Sequence, residues 1–147
     1  MGRTNLHATA LVAGESGLLI TGRSGAGKSL LAARLVETLH ARGDFAVLVS
    51  DDQVWVERFG VRLVAEAPDT IAGLIELRGY GPARAASEKR AVMDRMVALV
   101  EPAAAPRHRE AMSETVLGVC LPCLALPERN VEANVPAILA WLAGEPG

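Results

Sequence analysis

Gly22-Arg23-Ser24-Gly25-Ala26-Gly27-Lys28-Ser29 spells a complete G-x-x-x-x-G-K-[ST] loop, and no other stretch constrains the chain as tightly. Such a loop is meaningful only between a buried strand and a helix, and both flanks are present. Leu18-Leu19-Ile20-Thr21 leads in as an apolar run, and a segment of helical period leads out. Gly22, Gly25 and Gly27 allow a tight backbone turn that approaches a ligand with no Cβ in the way. The amides of the loop and of the helix start then converge as an anion nest, helped by the helix dipole. Lys28 is placed to meet the β- and γ-phosphates, and the Ser29 hydroxyl to ligate Mg²⁺. The motif predicts an α/β fold and a site for a nucleoside triphosphate or another polyphosphate.

The rest of the chain must supply the sheet and its covering layers. Its 147 residues read as a single domain, 1–147, able to bury a sizeable core. Half the residues are apolar but only 3% aromatic, so that core is built from Leu, Val, Ala and Ile. The net charge is −2 and the basic residues are scattered, which argues against nucleic acid as the main partner. No 18-residue apolar span exists, and Met1-Gly2-Arg3-Thr4 lacks the apolar core of a signal peptide. The expectation is a cytoplasmic protein with no membrane span.

His7 to Ala13 reads as a strand, Gly14-Glu15-Ser16-Gly17 as a turn, and Gly17 to Thr21 as the return arm of a hairpin. After the loop, Leu31, Leu35 and Leu39 share one helix face, with Arg34, Glu37 and Arg42 on the wet side and Gly43 as the stop. Phe45 to Val49 is then a buried strand ending in Ser50-Asp51-Asp52. A right-handed crossover lays it parallel to the strand before the loop, with the two aspartates near the phosphates. Paired acids there can hold Mg²⁺, directly or through water, and can accept a proton from a nucleophile.

Gln53 to Arg58 and Val61 to Val64 form a second hairpin across Phe59-Gly60. A loop through Pro68 leads to Gly73-Leu74-Ile75-Glu76-Leu77-Arg78-Gly79-Tyr80-Gly81. Glu76 and Arg78 fall on one face of any strand there, and burying such a pair without partners is costly. Ser87 to Arg95 is polar and suits a helix, and Met96 to Val100 either continues it or is a strand. Pro102 to Arg109 is a Pro/Ala loop. Glu114 to Leu126 reads as one or two strands broken at Pro122. Asn134 is placed to cap a last helix, Pro136 to Ala143, stopped by Gly144. Cys120-Leu121-Pro122-Cys123 has the spacing of a redox pair or half a zinc site. With no second such pair, and with the apolar run Val116 to Leu121 around it, two structural core cysteines are the expectation.

Four blocks, in order, resemble the catalytic domain of HPr kinase/phosphorylase. They are His7, fifteen residues ahead of Gly22; Leu19-Ile20-Thr21-Gly22 with Ser24 to Ser29; Leu48-Val49-Ser50-Asp51-Asp52; and Gly73 to Gly81. The resemblance covers residues 7 to 81, and its fourth block is the most specific. It implies a P-loop kinase domain akin to phosphoenolpyruvate carboxykinase: a mixed sheet with β-hairpins and flanking helices. It also implies an ATP- and Mg²⁺-dependent serine kinase acting on an HPr-type phosphocarrier protein of the sugar phosphotransferase system, with a reverse phosphorylase reaction. Residue by residue, Gly22 to Ser29 with Lys28 would hold the phosphates, and Ser29 and Glu76 would ligate Mg²⁺. Asp52 would be the general base, with Asp51 and His7 beside it. The chain resembles shortened members consisting of the catalytic domain alone, and a homo-oligomer is the corresponding expectation.

Arg23 stands where the family usually has an acid, and Leu30 where it usually has a glutamate. The segment after Gly81 does not reproduce the family's glycine-rich pattern, and no residue matches its later catalytic arginine. Two other classes of function use the same loop. A small-molecule kinase would employ Lys28, Ser29 and Asp52 alike, and a nucleotide-sensing module would bind without transfer.

Overall fold

The computed structural model describes residues 2–107 and 110–144. Fourteen elements of strand and helix follow in order: β1 (Arg3–Leu6), β2 (Ala8–Ala13), β3 (Ser16–Thr21), α1 (Lys28–Ala41), β4 (Ala46–Ser50), β5 (Val54–Phe59), β6 (Arg62–Glu66), β7 (Leu74–Leu77), β8 (Gly81–Arg84), β9 (Arg90–Met93), β10 (Arg95–Val100), β11 (Met112–Val116), β12 (Val119–Pro127) and α2 (Val131–Leu142).

A six-stranded sheet in the order β11-β12-β10-β3-β2-β4 forms the centre. β2 runs antiparallel to both β3 and β4, so β3 and β4 point the same way with β2 between them. β10 is parallel to β3 and β12 is parallel to β10. Four strands therefore end on one edge, the arrangement in which α/β sheets place ligand sites beyond the strand carboxyl ends. The α/β mixed sheet with hairpins and flanking helices is the architecture expected from the sequence.

Both faces of this sheet are covered, which explains its continuous apolar runs. Leu11, Leu18 and Ile20 face α1 and α2, where they meet Leu31, Leu35 and Ile138. The alternate residues Ala8, Ala10 and Leu19 face a four-stranded antiparallel sheet, β1-β5-β6-β9, and meet Val54, Val56, Leu63 and Met93. The two sheets approach closely at Gly17. A Cβ there would lie 1.8 Å from the carbonyl oxygen of Val92, so no other residue fits without moving backbone. Reciprocal bonds fix the crossing: Gly17 N–H donates to Asp94 Oδ2 (2.7 Å), and Asp94 N–H donates to Gly17 O (2.8 Å).

Three local readings are corrected. Ser87 to Arg95 is not helical: Arg90–Met93 is a strand paired with β6, and Met93 is buried between the sheets. Sheet pairing and burial here override the weak helical propensity of a polar stretch. Pro122 does not break its strand. Pairing of β12 with β10 begins only at Cys123, so Pro122 stands where β12 has a neighbour on one side alone. The last helix begins after Asn130, and Asn134 lies inside it, its buried side-chain amide donating to Pro127 O at 2.8 Å. The two cysteines differ as well. Cys123 is buried and its thiol is pushed up by that burial, whereas Cys120 is exposed rather than part of the core.

The end of the Pro102 to Arg109 loop, at positions 108–109, lies outside the described residues. Among the described residues no helix is long and apolar enough to cross a membrane.

Candidate active site at the strand carboxyl ends

The phosphate loop follows β3 and leads directly into α1. Gly25 and Gly27 adopt φ of 84° and 95°, left-handed values that a Cβ would strain. Gly22 has a different reason to be glycine: a Cβ would press on Ala26 Cβ at 3.1 Å and on Leu99 Cβ of β10 at 3.1 Å. Lys28 is the first residue of α1, and only 4% of its side chain is exposed. Its ammonium donates to Gly22 O (2.8 Å) and Arg23 O (3.2 Å), so it lies beneath the loop.

Beyond β4 the two aspartates diverge. Asp51 is buried and accepts three hydrogen bonds, from Ser29 Oγ (2.7 Å), Thr9 Oγ1 (3.0 Å) and the backbone N–H of Glu76 (2.8 Å). Asp52 turns the other way because its backbone is left-handed, φ 67°, a region that aspartate tolerates better than most residues. Its N–H donates to Thr9 Oγ1 at 3.1 Å, while its carboxylate stays 56% exposed. That carboxylate lies 2.7 Å from His7 Nε2 and 3.7 Å from Lys28 Nζ. His7 occupies the bend between β1 and β2, where the chain passes from the smaller sheet to the larger.

Thr9 is thus the hub that sequence reading missed. Its hydroxyl ties the Asp51 carboxylate to the Asp52 backbone, yet in sequence it is an ordinary β-branched strand residue. Glu76 and Arg78 also reach the site. Glu76 lies in β7, Arg78 just past its end, and both are exposed toward a cleft of about 650 Å³. The same cleft is lined by Gly25 to Ser29, by Asp52, and by Arg129 and Asn130 ahead of α2. The β12–α2 residues carried no sequence signal for this role. Every predicted site residue from Gly22 to Ser29, with Asp51, Asp52, His7 and Glu76, therefore belongs to one neighbourhood.

The donors fit a phosphate-bound Mg²⁺. Ser29 and Glu76 offer hard oxygens to the cleft, and Mg²⁺ is commonly held by one or two carboxylates together with substrate phosphates. Among the described residues no cluster of three His, Cys, Asp or Glu side chains forms a protein-only metal cage.

The far wall of the loop is ionic. The Arg23 guanidinium bonds the buried carboxylate of Glu128 through Nη2 and through Nε (3.1 Å), and lies 3.3 Å from Glu101. The Arg23 hydrogen bond holds the Glu128 carboxyl below the usual carboxylate range, against the opposing effect of its burial.

The HPr serine kinase C-terminal domain family matches residues 1–86 of the chain. An HPr kinase/phosphorylase of Mycoplasmopsis pulmonis is 39% identical over 79 residues, 54% of this chain and 24% of that protein. One from Caldicellulosiruptor bescii is 40% identical over 80 residues, with the same shares. The chain thus spans about a quarter of the length of these relatives. The solved structure of the HPr(Ser) kinase/phosphatase from Coxiella burnetii superposes with a TM-score of 0.79 at 25% identity, covering 95% of this chain and 96% of that one.

Proposed function

The chain belongs to the HPr serine kinase C-terminal domain family, and from that premise we propose that it transfers the γ-phosphoryl group of ATP to a serine of an HPr-type phosphocarrier protein. The observation that carries this reading is the division of labour between the adjacent aspartates. Asp51 is saturated by three donors and is fitted to orient Ser29 and the Glu76 strand. Asp52 is open to the cleft, with lone pairs free for an incoming hydroxyl.

In this reading the loop amides and Lys28 hold the phosphate oxygens, with Lys28 exchanging the carbonyls of Gly22 and Arg23 for phosphate. Ser29 and Glu76 would hold Mg²⁺, which when bound neutralises charge on the β- and γ-phosphates. Asp52 takes the proton of the serine hydroxyl as its oxygen forms the bond to the γ-phosphorus and the bond to the bridging oxygen breaks. His7, 2.7 Å from Asp52 Oδ1, fixes the direction of that carboxylate and leaves its other oxygen for the hydroxyl. With phosphoserine as donor and inorganic phosphate as acceptor, the same groups would support the phosphorylase reaction carried in the names of the relatives. The phosphoryl group then passes to phosphate as pyrophosphate, and Asp52 returns a proton to the serine oxygen.

Radiolabel transfer from γ-labelled ATP to purified HPr tests the proposal, with a metabolite panel alongside. Labelled HPr is the expected result. Label on a metabolite alone would replace the acceptor, and tight ATP binding without transfer to any acceptor would leave a nucleotide sensor.

A further inference from the structure

Three of the parallel strands, adjacent in the order β12-β10-β3, each deliver a charged residue just past their carboxyl ends. These are Glu128 after β12, Glu101 after β10, and Arg23 two residues after β3. Arg23 reaches across the end of β10 to bond Glu128, whose side chain is 1% exposed, while the Arg23 side chain as a whole is 55% exposed. Arg129 Nη2 bonds the same Glu128 oxygen as Arg23 Nη2, at 3.1 Å. The next link is backbone: Arg129, left-handed at φ 53°, donates its N–H to Ala26 O in the middle of the phosphate loop at 2.9 Å. The β12–α2 turn therefore grips the loop at three points: Glu128 on the Arg23 side chain, the Arg129 N–H on Ala26 O, and Arg129 Nη1 on Gly25 O at 3.5 Å.

We propose that Glu128 is a positioning residue for the phosphate loop: by holding Arg23 it fixes the loop in its phosphate-binding shape before any ligand arrives. The inference rests on the loop being the polyphosphate site. The coupling runs through Arg23 itself: Glu128 holds its guanidinium, and its carbonyl is one of the two resting partners of Lys28. A charge-assisted, two-pronged bond to a buried carboxylate is among the stronger local restraints available to a loop of this kind. Glu128 also keeps the Arg23 cation paired beside Glu101.

The test compares wild type with Glu128→Gln, Arg23→Ala and the double variant. Arg23→Ala leaves Glu128 with Arg129 as partner, so the buried carboxylate is not stranded. Hydrogen exchange on the ligand-free protein reads the loop directly, and calorimetry with ATP reads the consequence. Each single variant is expected to speed exchange of the amides at 22–29 and to weaken ATP binding, each roughly tenfold, the scale of a lost hydrogen bond to a charged group. Exchange in β3 and β10 should be unchanged, which a general loss of stability would not spare. The double variant should be no worse than the worse single one, because both remove the same bond. Should Glu128→Gln fail to fold, Arg23→Lys, at an exposed position, keeps the charge, loses the two-pronged bond and is expected to show a partial effect of the same kind. Unchanged loop exchange in the single variants, or additive losses in the double, would overturn the proposal. A wild-type protein that binds no ATP would instead remove the nucleotide reading, while the exchange comparison still decides the role of Glu128.

Discussion

Ser29 donates its hydroxyl to the buried carboxylate of Asp51 across 2.7 Å, joining the first turn of α1 to the end of β4. This bond locks the phosphate loop to the strand that carries both acids. It also orients the Ser29 oxygen, leaving its lone pairs for the cleft side. The predictions below start from this frame.

Lys28→Ala removes the cation under the loop, together with its bonds to Gly22 O and Arg23 O. ATP affinity is expected to fall about 10- to 100-fold, the range for losing hydrogen bonds to a charged donor, and phosphoryl transfer to disappear. Calorimetry and label transfer measure the two. Unchanged affinity and turnover would remove the basis for assigning the loop to a triphosphate.

Glu76→Gln separates metal binding from structure. The bond that Glu76 gives Asp51 comes from its backbone N–H, which the substitution leaves in place, so the melting temperature should hold. The Mg²⁺ concentration for half-maximal transfer should rise. An unaltered Mg²⁺ requirement would take Glu76 out of the metal site.

Thr9→Val keeps the shape and deletes the hydroxyl that serves Asp51 and the Asp52 N–H together. Thr9 is fully buried, so water cannot take over directly. An expected loss of about 1–3 kcal/mol in denaturant unfolding reflects buried polar groups left without a partner. Transfer should fall beyond what stability explains, because Asp52 loses the anchor of its left-handed turn. Wild-type turnover in this variant would show that Thr9 is structural only.

The phosphate loop and the aspartate pair were legible because each is a local pattern with a chemical reason. The Gly73 to Gly81 block gained its meaning from a family resemblance, and in the structure Glu76 and Arg78 do line the cleft. What escaped reading is non-local. Thr9 acts through a bond spanning 42 positions, and Arg23 meets Glu128 across 105. No spacing rule reports such pairs. The strand at Arg90–Met93 was hidden for a related reason: its stability comes from β6 and from packing over Gly17, not from its own alternation.

Gly17→Ala tests that packing. The added Cβ meets the backbone of Val92 and Met93, which cannot turn aside as a side chain would. A destabilisation of at least about 1–3 kcal/mol, the usual cost of overpacking, is expected in urea unfolding. Because the clash lies at the far end of β3 from the loop, ATP affinity of the folded fraction should change little. Wild-type stability would mean that the two sheets can slide apart at this point.

Asp52 decides between kinase and sensor. Its carboxylate is exposed at the cleft, contacted by His7 and near Lys28, whereas that of Asp51 is committed to Thr9, Ser29 and Glu76. Asp52→Asn is the informative change because asparagine also accepts the left-handed backbone that this position requires. Size and main-chain geometry persist while basicity is lost. ATP affinity should stay within a few-fold, and transfer should fall by ~10²–10⁴, the usual contribution of a positioned base. Asp51→Asn should behave differently: its amide can no longer accept from all three donors, so nucleotide affinity and stability should fall along with rate. A wild-type protein that transfers to HPr while Asp52→Asn matches it would move the base elsewhere. A wild type that binds ATP and transfers nothing, indistinguishable from Asp52→Asn, would leave the sensor.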